Sequence, residues 1–505
     1  MIEAIQQVIK PHDKYQMEIK LDYQVLPGQQ THYQISTYIF VPQSLGIAPS
    51  TYSKAEFYRD MQNYIRLKTP ALILREFTKK GVSSPLIALE KTLTSKNWTG
   101  EPADRDHLIN NFKFLSAMLK SAIREHFNLI QKRIAEAPPH SKVNLLIHNL
   151  VEEFLVETKH ITDKYRSFYP AFNLPNVDEQ LFAAYKLTDE SLSLLIEESA
   201  VEMFQIVEAY LKKSDKIDYK QKLSERVECE TKHRRSRGYH SVLKEGDDNE
   251  EYAFRASVLK KYASSVLYLS TAVRREGVGL EHFLFAVAAG LSMVFATVVA
   301  FYFQQQYGQL TFPFFIALVV GYMFKDRIKE VGRQWFAGFL QNILYDRRTV
   351  IRTQDGRHKL GILREKVSFV AEKDVPKPIL KARNRDQFTD LDNDGQGEYI
   401  ICYAKDIVLF ATAFEEAFAD VPEITGINDI LRYDIRAYLR KMGEPVEPRH
   451  YLEAGQLKTL ACHKVYHLNF ISRYRSIKPE KGKLDRHLRL VLNREGIKRV
   501  EHVPV

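Results

Sequence analysis

The chain has 505 residues, 45% of them hydrophobic and 27% charged, with a net charge of +10. That length allows about three domains, and the composition excludes a mainly disordered or fibrous chain. Three scattered cysteines (Cys229, Cys402 and Cys462) exclude a disulfide framework and fit a reducing compartment.

The first residues lack the basic-then-apolar pattern of a secretory signal. From Tyr15 to Val25 the odd positions are apolar or aromatic and the even ones polar, which predicts a strand with one buried face. Pro27-Gly28 turns the chain, and Tyr33, Ile35, Thr37, Ile39 and Val41 repeat the alternation. Residues 1–100 are therefore expected to form a β-hairpin region. A lone hairpin is marginal in water, so it is expected to pack on or join the C-terminal sheet.

Residues 101–215 change to helical spacing. Leu108, Phe112, Leu115, Leu119, Ile123, Phe127, Ile130 and Ile134 form one stripe, and Leu146, Leu150, Phe154, Ile161 and Tyr165 a second. Asn176 with Glu179 suggests a capping box, and Thr188 followed by Asp189 and Glu190 a further helix start. An antiparallel bundle is expected. Residues 216–251 pass from basic to acidic and are read as a charged linker, and 252–282 as a juxtamembrane helix.

Residues 283–324 carry no charged side chain. A membrane span needs about 20 apolar residues, so this run is expected to be a transmembrane hairpin with spans at 283–303 and 307–324, turning at the polar segment 304–309. Basic residues flank it on both sides and its loop has none, which predicts that both termini are cytoplasmic at an inner membrane. Ala288, Ser292, Ala296 and Ala300 recur every fourth residue, as do Pro313, Ala317 and Gly321; small residues at that spacing let helices pack closely, within the hairpin or in a homo-oligomer. Arg274, Arg275, Lys325, Arg327, Lys329 and Arg333 are candidate contacts to anionic lipid headgroups. Ile328, Val331, Trp335, Phe339 and Ile343 mark an amphipathic helix over 325–351.

Residues 352–505 read as an α+β domain. A strand is expected at Glu398–Tyr403, helices at 406–419 and Asn428–Lys441, and an antiparallel meander at the end. Asp390, Asp392 and Asp394 open an Asp-x-Asp-x-Asp-Gly run that suits Ca²⁺. Glu398 is its candidate last ligand, although an EF-hand would need that glutamate where Ile401 stands. The bland alternative is a solvated turn, and no other cofactor is expected. The cluster Lys232–His240 is a solvated segment or a lipid contact rather than a nucleic-acid site. Cys229, His233 and His240 match no zinc spacing. No phosphate loop, nucleophile elbow or metalloprotease motif occurs.

The expected fold class is thus a multi-domain membrane protein: α+β cytosolic regions plus a two-span helical hairpin. The expected function is a membrane-anchored interaction or sensor/effector protein that engages the lipid bilayer and a protein partner. A tethered enzyme with its site in 352–505 is the alternative, and an oligomeric pore the third.

Overall fold

The computed structural model describes residues 5–79, 81–94, 105–135, 143–210, 213–308, 311–383, 397–418, 424–478 and 482–504. The chain begins with β1 (Ile5–Pro11), β2 (Gln16–Gln24), β3 (Thr31–Pro42), α1 (Lys54–Asp60) and β4 (Met61–Leu67). Helices follow: α2 (Pro85–Thr94), α3 (Arg105–Ala135), α4 (Val143–Ser167), α5 (Tyr169–Phe172), α6 (Glu179–Tyr210), α7 (Lys213–Ser236) and α8 (Glu250–Ser265). Then come β5 (Ser270–Arg275), α9 (Val278–Tyr307), α10 (Phe312–Ile343), β6 (Arg347–Arg352), β7 (Lys359–Val370), α11 (Lys377–Arg383) and β8 (Glu398–Leu409). The rest is α12 (Ala411–Ala417), β9 (Gly426–Asp434), α13 (Arg436–Leu439), β10 (Val446–Glu453), β11 (Gln456–His463), β12 (Tyr466–Lys478), β13 (Lys483–Asn493) and β14 (Gly496–Val503).

This α+β chain divides into two compact units. Met1–Tyr64, Ser270–Ala411 and Asp429–Val505 form the first; Ile65–Leu269 and Thr412–Asn428 form the second.

The first unit is built on an eight-stranded sheet in the order β14-β13-β12-β3-β8-β7-β6-β5. Every pairing in it is antiparallel. The alternation around Tyr33, Ile35 and Ile39 makes β3 an inner strand, paired with β12 on one edge and β8 on the other. The expected hairpin of β2 with β3 does not form: β2 pairs with β1 in a separate sheet ordered β1-β2-β9-β4. Both strands have an apolar face to bury, and each finds a different partner. Helix α11 covers one face of the large sheet, where Ile379 and Ala382 pack with Phe40, Ile400 and Ile471. Phe57 of α1 sits 5.2 Å from the ring of Tyr403 and 6.0 Å from that of Tyr433. The β10-β11 ribbon stands apart as a two-stranded sheet with all its residues exposed.

The helices expected at 406–419 and Asn428–Lys441 shrink to α12 and α13, because strand pairing takes their N-terminal parts. Period two runs through β8 as Ile401, Tyr403, Lys405, Ile407 and Leu409, all buried, and through β9 as Ile427, Asp429, Leu431 and Tyr433. A lysine and an aspartate stand in the apolar positions. They bond each other, Lys405 Nζ donating to Asp429 Oδ2, which hides the strand period from a hydropathy reading.

The second unit is helical. The stripe from Leu108 to Ile130 is the buried face of α3. Thr188, Asp189 and Glu190 do not start a helix but lie buried in the middle of α6, which is 32 residues long. The aspartate and glutamate face charged partners on other helices instead of capping a terminus. The charged linker expected over 216–251 is likewise mostly helix: α7 runs to Ser236 and packs with Leu223, Arg226, Glu230 and Arg234 buried. Within 252–282, α8 ends at Ser265 and β5 follows, so no single juxtamembrane helix leads into α9.

A candidate membrane-contacting hairpin

Strands β5 and β6 pair antiparallel from Ser270↔Arg352 to Arg275↔Arg347. The chain between them leaves and rejoins the large sheet as two adjacent helices, α9 and α10. Gly277, at φ +74°, takes the left-handed turn that opens α9, and Pro313 near the start of α10 suits a helix N-terminus. Gln304, Gln305 and Gln306, expected to turn, remain inside α9.

Close approach of the two helices rests on small residues. Ala288, Ser292, Ala317 and Gly321 are buried, and Ala296 and Ala300 are half-buried. A Cβ on Gly321 would lie 3.3 Å from Val299 Cγ1, and one on Gly332 would lie 3.1 Å from the Ala288 Cβ. These two approaches share one antiparallel register, since α10 advances as many residues from 321 to 332 as α9 retreats from 299 to 288. In that register Lys325 stands level with Phe295 and Lys329 with Leu291.

That register overturns the two-span reading. Helix α9 is long and apolar enough to cross a membrane by length and composition, and it alone is so among the described residues. In α10 the charge-free run from Phe312 ends at Phe324, about 20 Å at 1.5 Å per residue, against a hydrocarbon core of about 30 Å. Lys325, Asp326, Arg327 and Lys329 then follow. Full insertion would set these four charges against the middle of α9's apolar run, where each costs several kcal/mol.

Outside the mutual contact, the hairpin is apolar and bare. Only 11% of the most apolar stretch of α9 is buried within the chain. Leu291, Val294, Val298, Phe301, Phe312, Phe315, Tyr322 and Met323 are all exposed. A contiguous apolar surface of this kind marks a contact with lipid or another apolar surface.

The basic residues separate into two groups. Lys325, Arg327 and Lys329 sit at the end of the charge-free run, Lys325 lying 3.8 Å from the ring centroid of Tyr322. Arg274 and Arg275 lie on β5 at the base, and Arg275 pairs with Glu281 at 3.0 Å. Arg333 also lies toward the base, over the ring of Phe285.

Among the described residues the remaining candidates do not assemble a site. Asp390, Asp392 and Asp394 lie outside the described residues. Glu398 accepts a bond of 2.8 Å from Arg383 and is buried with it, so it is engaged as the partner of an arginine. No group of His, Cys, Asp and Glu among the described residues could hold a metal ion. All three cysteines are free. His233 bonds Asp189 at 2.7 Å and His240 bonds Glu251 at 2.7 Å, which keeps these two histidines on separate partners. Lys405 and Asp429, a second buried ion pair of the 352–505 region, are each 1% exposed and closed to a substrate.

Of the cluster at 232–240, Lys232, Arg235, Arg237 and His240 are exposed, while Arg234 turns inward. Arg234 is fully buried, donating to Glu197 and, at 2.9 Å, to the carbonyl of Ser241. Asp189 accepts from Arg166 at 3.1 Å and from Tyr239 at 3.0 Å. Glu230 takes Arg166 at 2.6 Å and Arg226 at 3.0 Å, and Arg255 reaches Glu190 at 2.6 Å. Burial pushes the Asp189 and Glu230 carboxyls up, but His233 and Arg166 on one, and Arg166 and Arg226 on the other, pull them below their ordinary values. Sequence reading missed this network. Its signal was there: Leu223, Arg226, Glu230 and Arg234 recur at helical spacing, a charged stripe where a bundle helix normally carries an apolar one. No protein-family model matches the chain, and comparison with curated proteins returns no match.

Proposed function

We propose that this is a membrane-anchored, non-catalytic interaction or effector protein, held by the outer part of the α9–α10 hairpin, which enters a bilayer from one face without crossing it. The observation that carries this reading is the charge-free, exposed apolar surface beyond Lys325. Its depth of about 20 Å exceeds one leaflet's share of the hydrocarbon, about 15 Å, and falls short of the whole. Both ends of the hairpin return to neighbouring strands, which suits entry and exit on one side. Lys325, Arg327 and Lys329 then meet the headgroup layer, where each cation is worth about 1 kcal/mol on an anionic surface. Arg333 lies about one helical turn, ~6 Å, beyond Lys329 and within a Debye length of about 10 Å, whereas Arg274 and Arg275 on β5 at the base lie farther away and contribute little to headgroup binding.

The full chain, incubated with vesicles and floated on a density gradient, tests it. Wild type is expected to float, better with anionic lipid. Phe301→Lys with Phe315→Lys is expected to stay in the bottom fractions, since each buried lysine costs about 3 kcal/mol. Both side chains are exposed, so the Tm in detergent should not move. Unimpaired flotation of this variant rejects the reading. Insertion depth is read separately from Gln305→Cys with the three native cysteines replaced by serine. An impermeant maleimide should label it from neither face; labelling from the far side would show a crossing.

A further inference from the structure

The helical unit contains a cavity of about 750 Å³ whose walls come from β4, α3, α6 and α8. Four cations line it: Arg66 on β4, Lys120 and Arg124 on α3, and Lys260 on α8. Two carboxylates face them from α6, Glu198 and Glu202. The wall therefore carries a formal excess of two positive charges, four less two.

The opposite charges present do not settle one another. Burial lowers the Lys120 ammonium from its ordinary value, and the charges of Lys260, Arg124 and Arg66 lower it further; Glu198 only partly opposes this. On the same wall, burial raises the Glu198 carboxyl despite the attraction of Lys120 and Lys260. A closed ion pair would move both groups the other way. The Lys120 ammonium is held among like charges in an open site, where Arg124, Glu198 and Lys260 are exposed with it, and an added anion would relieve it.

We infer that this cavity binds a small organic phosphate ester. A phosphate monoester carries close to two negative charges at neutral pH, which matches the excess, and the four cations converge from two helices and a strand. The cavity is within the usual range of about 300–1,000 Å³ for small-ligand sites and leaves room for an organic body beside the phosphate. Phe127 and Leu195 supply apolar wall for that body. The inference is independent of the bilayer reading, because none of these residues belongs to the hairpin.

Titration calorimetry on the full chain in detergent tests it with four probes: adenosine monophosphate, ribose 5-phosphate, inorganic phosphate and adenosine. At least one ester is expected to bind, with adenosine silent and inorganic phosphate weaker. Lys120→Met and Lys260→Met should each weaken the ester about tenfold, the loss of one charged hydrogen bond. Glu198→Gln should tighten it several-fold by removing a competing charge, an effect that a merely structural glutamate would not produce. All three variants should keep the wild-type Tm without ligand and float with vesicles as wild type does. The inference is overturned if folded wild type binds neither ester, if inorganic phosphate binds as tightly as both, or if the lysine variants bind undiminished.

Discussion

In the first unit Phe301, Phe312 and Phe315 stand exposed along the α9–α10 hairpin, while in the second Arg234, Asp189 and Glu230 are buried between helices. The two regions break the ordinary burial preference in opposite directions. Bare phenylalanines cost free energy in water until another phase covers them. Buried charges cost free energy unless each is paired and hydrogen-bonded. The helical unit meets its condition internally, with Arg166 bridging Asp189 and Glu230. The hairpin does not: its exposed phenylalanines are left uncovered within the chain.

The largest effect expected from this contrast is at Glu230. Glu230→Ala leaves Arg166 and Arg226 facing a vacated buried site, and loss of one member of a buried pair costs about 3–5 kcal/mol. Denaturant unfolding of the full chain should show the helical unit's transition moved by that amount and flotation unchanged. A shift below about 1 kcal/mol, the scale of a solvated surface pair, would mean that water reaches the network and that the contrast is false.

A smaller effect is expected within the hairpin. Gly332→Leu drives a branched side chain into the Ala288 Cβ, which already stands 3.1 Å from where a glycine Cβ would be. Overpacking of this kind costs about 1–3 kcal/mol. Protease protection of α9–α10 in detergent should fall while the helical unit's unfolding stays as in wild type. Gly338→Leu is the control, because nothing lies within 4 Å of that position. Equal loss in both variants would show that helix propensity, not helix contact, governs the hairpin.

How much of this was legible in sequence follows the same divide. The strand at β2, the α3 stripe and the apolar run of α9 were legible because burial there follows hydropathy. The charge-free run was legible too, but its division into two spans was not. Sequence gives the length of each helix and not the register between them, and the register is what sets Lys325 level with Phe295. Where charges occupy buried positions, periodicity failed. Lys405 and Asp429 concealed the second half of β8, beyond the strand expected at Glu398–Tyr403, and the strand character of β9, and the charged stripe of α7 passed for a linker. The 750 Å³ cavity joins residues from 66 to 260, a convergence that no local spacing encodes.

The smallest effect separates the units by pH. His487 on β13 is buried, with Asn469 Oδ1 3.0 Å from its Nε2. Burial, then the charges of Arg383 and Arg489, push its pKa down to about 4 from the ordinary 6.5. Above pH 6.5 it is neutral whether folded or unfolded and stability does not depend on it. As pH falls from 6.5 toward 4 the unfolded chain takes up the proton first, so the first unit loses stability, by at most about 1.4 kcal/mol per pH unit. The depressed carboxyls of Asp189 and Glu230 behave differently: their stabilisation is fully present above their ordinary values of 3.8 and 4.5 and is lost only as pH drops below them. Between pH 6.5 and 4.5 the sheet unit should therefore soften while the helical network holds. Hydrogen exchange of the two units, followed across that range, reads the difference directly. His487→Gln should reduce the response of the sheet unit, His467 on β12, also pushed down by burial and then by Arg489, keeping part of it, and should leave the helical unit as it was; an equal acid response in both units would mean that their stabilities are coupled and that neither can be assigned to its own buried charges.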